Sequence, residues 1–271
     1  MVKCNICPHF CEIPDGFKGF CGARENRGGE LKSLGAVSSV AVDPIEKKPL
    51  YHFHPGRPIL SIGGFGCNLR CPFCQNHQIA APTNLALAQS DMHDVSVEEI
   101  VAMAKKIPNN IGVAYTYNEP LINYEFLLNC TSQIRGAGLC NVLVTNGFIN
   151  PEPLKALLPF IDAVNIDLKG FTDEFYANLN GSLQPVLDTI AIAHKHCHVE
   201  VTTLVIPGEN ESHIEPIAKW LAGLDCSIPY HISRFFPRHQ YEDKPPTPPQ
   251  VIYRLCDVAG NYLSHVYPGN V

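Results

Sequence analysis

Ile59-Leu60-Ser61-Ile62-Gly63-Gly64-Phe65-Gly66-Cys67-Asn68-Leu69-Arg70-Cys71-Pro72-Phe73-Cys74 is the stretch on which the reading of this chain turns. A short apolar run reads as a buried strand, and the glycines after it read as a break into a loop. The loop carries cysteines in a C-x3-C-x2-C spacing. An iron–sulfur cube held wholly by protein takes four thiolates. Three thiolates on one loop leave one iron without a protein ligand, and an open metal position serves chemistry rather than stapling. The competing reading is a closed Cys3His zinc site that takes His77 as its fourth ligand.

Downstream of this loop the pattern repeats. Apolar runs at Ile59–Ile62, Gly112–Tyr117, Asn141–Thr145, Ala163–Asp167, His198–Ile206 and Tyr230–Ser233 read as strands, with a seventh at Ser264–Tyr267. Helical signals fall between them. Ser96 with Glu99, and Ser212 with Glu215, fit capping boxes. Pro120, Pro151 and Pro153 stand where helices begin. Short, nearly all-apolar strands alternating with helices predict a parallel α/β barrel or open sheet. In such a barrel the working residues lie where strands end. Polar residues gather there: Asn118 and Glu119 after the second strand, Thr145 and Asn146 after the third, Asn165, Asp167 and Lys169 on the fourth, Glu200, Thr202 and Thr203 on the fifth, and His231, Ser233 and Arg234 on the sixth. A closed zinc clip would leave this polar rim unexplained, so the open-cluster reading is preferred.

The bulk composition excludes other classes. The chain has 271 residues, 45% of them hydrophobic, and a formal net charge of −6. That balance speaks against a strongly basic nucleic-acid surface. No uncharged apolar run approaches the length of a membrane span, and the start lacks the apolar core of a signal peptide. Twelve cysteines without an export signal read as reduced thiols and metal ligands, in a cytoplasmic setting.

Six stretches in order resemble the radical SAM family, and within it the radical SAM proteins of the AmmeMemoRadiSam system and the pyruvate formate-lyase activating enzymes. They are Asp43-Pro44-Ile45-Glu46-Lys47-Lys48-Pro49-Leu50, Cys71-Pro72-Phe73-Cys74-Gln75-Asn76, Tyr115-Thr116-Tyr117-Asn118-Glu119-Pro120, Val144-Thr145-Asn146-Gly147, Asn165-Ile166-Asp167-Leu168-Lys169-Gly170 and Thr202-Thr203-Leu204-Val205-Ile206-Pro207-Gly208. The resemblance implies an α/β fold: a partial (β/α)6-type barrel over residues 58–271, with a small Cys-rich N-terminal lobe over 1–57. It implies a [4Fe-4S] cluster on Cys67, Cys71 and Cys74, with S-adenosyl-L-methionine (SAM) chelating the fourth iron. One electron, from a donor such as flavodoxin or ferredoxin, would cleave SAM to a 5′-deoxyadenosyl radical that abstracts hydrogen. The substrate is open, a glycyl radical enzyme being one option and a small molecule or protein side chain another.

Asn118, Glu119, Thr145, Asn146, Asn165, Asp167, Lys169, Thr202 and His231 are, by the same resemblance, the SAM-binding set. Glu119 would meet the ammonium and Lys169 the carboxylate. Three positions depart from the family: Tyr117 and Asn118 replace glycines before the glutamate, and Val144 replaces an acid before Thr145. A second four-thiol set, Cys4-x2-Cys7-x3-Cys11-x9-Cys21, reads as a metal site for zinc or a second iron–sulfur cluster. A reading from another class makes both cysteine sets zinc staples of a non-catalytic binding module. Cys130, Cys140, Cys197, Cys226 and Cys256 read as small buried hydrophobes.

Overall fold

Two hairpins open the chain, β1 (Val2–Lys3) with β2 (Glu12–Ile13) and β3 (Arg24–Arg27) with β4 (Glu30–Ser33). The structure is a computed structural model and describes residues 1–33, 35, 37–80 and 95–271. Strands β5 (Ser39–Pro44), β6 (Pro58–Gly63), β7 (Gly112–Thr116), β8 (Cys140–Thr145), β9 (Ala163–Asp167), β10 (His198–Val205), β11 (Tyr230–Arg234) and β12 (Val266–Gly269) form one sheet in sequential order. Pairing from β6 to β12 is parallel, and β5 runs antiparallel on the edge of β6. Helices α1 (His77–Ala80), α2 (Val97–Lys106), α3 (Tyr124–Gly136), α4 (Pro151–Leu157), α5 (Asp173–Asn178), α6 (Gln184–Ala193), α7 (Ile214–Leu224) and α8 (Pro249–Ala259) lie in the connections. This is the α/β parallel architecture expected of a radical SAM partial barrel.

The expected strands form close to their expected bounds, and only the last starts later, at Val266. The edge strand β5 escapes a reading by apolar alternation because its valines face outward, with Val40 and Val42 about half exposed. Its ladder with β6 crosses the expected lobe boundary near residue 57. The Ser96–Glu99 capping box forms in full. The one expected at Ser212 does not: Ser212 lies inside a 3-10 turn, and α7 begins after His213 without a side-chain cap. Of the five scattered cysteines, Cys130 is buried but Cys226 is exposed.

Period-two alternation decides which way each strand faces. In β9, Val164 and Ile166 join the helix-side core with Leu154, Leu157 and Ile190. Ala163 turns the other way, onto a second cluster with Ile45, Leu50, Ile59, Ala114 and Val142. Asn165 and Asp167 share that inner face. The segment joining β5 to β6 supplies Ile45 and Leu50, and so plugs the barrel at the end where the parallel strands begin.

Glu200 pins this plug. It is fully buried on β10 and accepts from the backbone N–H groups of Tyr51 and His52, at 3.0 and 2.8 Å. The His198 and His231 rings add 2.9 and 2.6 Å contacts. Burial alone would raise its pKa, but the four donors outweigh it and hold the carboxyl at about 2. The stabilisation is therefore present above the ordinary pKa of 4.5 and is lost as pH falls through about 2. Glu200→Gln is expected to cost on the order of 3 kcal/mol at neutral pH. It should also flatten the loss of stability between those two values, as followed by thermal melts across pH. An unchanged acid profile would remove Glu200 as the pin.

Candidate active site

The three-cysteine loop leaves the sheet at the end of β6. Gly66 makes its sharp turn, at φ +84°, and a Cβ there would lie 2.4 Å from the Cys21 carbonyl oxygen, so only glycine fits. Asn118 clamps the turn from the neighbouring strand end. Its Oδ1 accepts from Gly64 N–H at 2.8 Å and its Nδ2 donates to Gly66 O at 3.0 Å. Arg70 folds back to donate to the Cys67 carbonyl at 2.7 Å.

Two of the three sulfurs receive donors. Leu69 N–H points at Cys67 Sγ at 3.4 Å, Asn76 N–H at the Cys74 sulfur, and Asn146 Nδ2 lies 3.6 Å from Cys67 Sγ. Burial pushes the Cys71 thiol up to about 12, and the Cys67 and Cys74 thiols upward too. Losing these protons needs a nearby cation or a metal. Among the described residues, no three or more His, Cys, Asp or Glu side chains are gathered tightly enough to hold a metal ion. A cube spreads its ligands over separate corners, so its thiolates need not meet around one point. His77 faces the Cys74 carbonyl, with Nδ1 at 3.3 Å, and stacks on His239 with ring centroids 4.5 Å apart. These contacts give no support to a Cys3His zinc site.

Glu119 binds the next two strand ends together. It stands at the start of the 3-10 turn that leads into α3, and its Oε1 accepts from Leu121 N–H at 3.0 Å. Thr145 Oγ1 donates to the same oxygen at 2.7 Å, and Asn146 N–H to Oε2 at 2.8 Å. Burial dominates these donors and pushes the carboxyl up to about 7. Asn146 Nδ2 also donates to Asn68 Oδ1 at 2.9 Å, inside the loop itself. Asp167, the last residue of β9, pairs at 2.8 Å with Lys169 just beyond the strand. Burial would lower the Lys169 pKa, but the Asp167 carboxylate and the Cys71 sulfur turn it upward.

The expected site residues thus fall into two groups. Asn118, Glu119, Thr145, Asn146, Asp167 and Lys169 gather around the cysteine loop. Asn165 and His231 do not: Asn165 Nδ2 donates to Pro49 O at 2.8 Å, and His231 is committed to Glu200. Thr202 donates to Asn165 Oδ1 at 3.0 Å, which ties it to the same plug. Thr203 faces the helices and donates to Leu168 O. Sequence reading missed Asn68 and Arg70, which lie between the cysteines and looked like spacers. It also left without a role Asp43, which accepts from Lys48 at 2.8 Å and from Tyr117 Oη at 2.8 Å on the inner face.

Residues 61–221 match the Radical SAM superfamily model. The chain belongs to the radical SAM superfamily. It is 40% identical to MJ0808 of Methanocaldococcus jannaschii, a protein of uncharacterised function, over all of this chain and 81% of that one. It is 29% identical to the pyruvate formate-lyase 1-activating enzyme of Escherichia coli K12, over 53% of this chain and 59% of that protein. Streptococcus suis SuiB bound to the precursor peptide SuiA shares the fold at a TM-score of 0.61, with 12% identity over 83% of this chain and 51% of SuiB. This radical SAM chain is an enzyme of the class that uses a [4Fe-4S] cluster and SAM, and the three loop thiols with their N–H donors suit that cluster. Among the described residues no helix is long and apolar enough to cross a membrane.

Two substitutions test this architecture. Gly66→Ala should cost about 1–3 kcal/mol of stability and lower iron loading, because the turn must shift off the Cys21 carbonyl. Iron per chain and the melting midpoint measure it, and wild-type values for both would contradict the close approach. Glu119→Gln puts an amide N–H where a donor now needs an acceptor. A stability loss of about 1–3 kcal/mol is expected, read by denaturant unfolding, and no change would deny the carboxylate its tying role.

Proposed function

We propose that Cys67, Cys71 and Cys74 hold the [4Fe-4S] cluster, and that its remaining iron takes the amino and carboxylate groups of SAM. The observation that carries this is the set of three thiols on one loop, ringed by the polar ends of β7, β8 and β9. With cluster and SAM bound, one electron from the cluster would cleave the sulfonium C–S bond to methionine and a 5′-deoxyadenosyl radical, which would take a hydrogen atom from the substrate. The chain's own residues do the placing. Lys169, kept cationic by Asp167, is the partner for the SAM carboxylate. Glu119 and Asn118 orient the loop and the amino-group side of the site. Thr202 lines the inner face beside Asp167, with which it is in register.

The substrate we infer is a glycine Cα–H in a partner protein, which then carries the radical. The likeness to the pyruvate formate-lyase 1-activating enzyme supports this reading. A one-electron donor of the flavodoxin or ferredoxin type completes the reaction.

Anaerobic protein given reductant and SAM should release 5′-deoxyadenosine, and Cys71→Ala should abolish release while circular dichroism stays unchanged. Turnover in that variant would refute the cluster assignment. Added to a purified glycyl radical enzyme, the system should produce a protein radical seen by electron paramagnetic resonance. Release of 5′-deoxyadenosine with no protein radical would remove the glycyl substrate and leave the radical chemistry standing.

A further inference from the structure

The N-terminal lobe has almost nothing to fold around. Apart from cysteines, the apolar side chains buried in residues 1–33 are Ile13 and Ala23. Its hairpins are two and four residues per strand. A lobe this small needs a staple. Cys4, Cys7 and Cys21 are nonetheless buried, with Cys11 beside them partly so. They lie close enough for Cys7 to feel the charges of Cys21, Cys4 and Cys11 together.

Three of the four sulfurs have a backbone donor turned toward them. Phe20 N–H meets Cys11 Sγ at 3.4 Å. His9 N–H meets the Cys7 sulfur, and the Ala23 and Arg24 N–H groups meet the Cys21 sulfur. The offset is telling. His9 follows Cys7 by two residues and Ala23 follows Cys21 by two, as Leu69 follows Cys67 and Asn76 follows Cys74 in the catalytic loop. Both cysteine sets are built to present sulfur as a hydrogen-bond acceptor, the state a thiolate ligand needs.

Arg24 supplies an independent pointer. Its side chain is 3% exposed, with its terminal nitrogens on Glu125 at 2.7 and 2.6 Å. Its Nε is buried without a hydrogen-bond partner, and the guanidinium's further neighbour is the Cys4 thiol. A neutral thiol is a poor acceptor for a buried cation. A metal-bound thiolate satisfies the orphan donor and has its own charge offset.

We propose that Cys4, Cys7, Cys11 and Cys21 form a second metal centre, closed by four thiolates, whose task is to brace the catalytic loop. In the conformation described the four are not drawn around a single point, and ligation closes them, displacing the thiol protons. The brace is direct. Cys67 N–H donates to the Cys21 carbonyl at 3.3 Å, the Arg70 guanidinium stacks 4.0 Å over Phe20, and His9 Nε2 holds Asn68 O at 2.8 Å. Zinc and an iron–sulfur cluster share this donor chemistry.

The test counts metal and does not rely on turnover. Full-length protein with Cys67, Cys71 and Cys74 all changed to Ala should retain either about one zinc or a residual iron–sulfide complement. X-ray absorption at the zinc or iron edge should show sulfur ligands only. Cys7→Ser/Cys21→Ser in the otherwise native chain should lose that metal, melt at a lower temperature, and still take up the loop's cluster but release it faster on exposure to a chelator, whereas a wild-type release rate would deny the bracing role. Zinc and iron outcomes both support the centre and tell its metal. If the triple variant fails to fold, the wild-type protein decides: metal beyond the roughly four irons of one cube supports the centre. Wild type with four irons, no zinc and four freely alkylated N-terminal thiols overturns the proposal while leaving the radical SAM reading intact. No iron in any form would overturn that reading instead.

Discussion

A carboxylate taken out of water must be met by donors, and Glu119 is met by three. The rest of the site depends on that. Among the described residues no lysine or arginine pairs with it, so its burial holds only while Leu121, Thr145 and Asn146 stay in place. Those residues begin the helix after β7 and end β8. Asn146 then reaches into the cysteine loop, to Asn68 and Cys67. A single buried side chain therefore sets two strand ends and the cysteine loop at fixed distances. The unfavourable solvation of Glu119 becomes positional accuracy, which radical chemistry needs because the reactive species must meet one hydrogen atom.

Glu200 plays the matching part at the other end of the barrel. It too is buried, but two histidines and two backbone amides keep it ionised. Glu200 has four donors, two of them histidines, where Glu119 has three. Glu200 fastens the segment that carries Ile45 and Leu50, which closes the end of the barrel where the parallel strands begin.

Charge is arranged around sulfur in the same spirit. Arg24 lies against one cysteine set, Lys169 against Cys71, and Arg70 between the two sets, where it feels Cys67, Cys21 and Cys71. Buried thiolates without such cations would hold their protons. The lobe and the loop form one continuous hydrogen-bonded unit through the Cys21 carbonyl, so order in one is transmitted to the other.

Much of this was legible in one dimension. Strand runs such as Ala163–Asp167 show themselves because a buried parallel strand has to be apolar, and the C-x3-C-x2-C loop shows itself because sulfur ligation needs close spacing. Family and cofactor followed from those local patterns. Contacts between distant residues were not legible. His231 looked like a cofactor ligand until Glu200 claimed it, and Asn68 and Arg70 looked like filler until Phe148 and Phe20 were found beside them. Periodicity states which face a residue occupies, and it is silent on what stands opposite. The partner of a buried polar group is chosen by packing across the sheet, so composition and spacing determined the chemistry available to this chain, while the tertiary structure alone decided which residues were free to perform it.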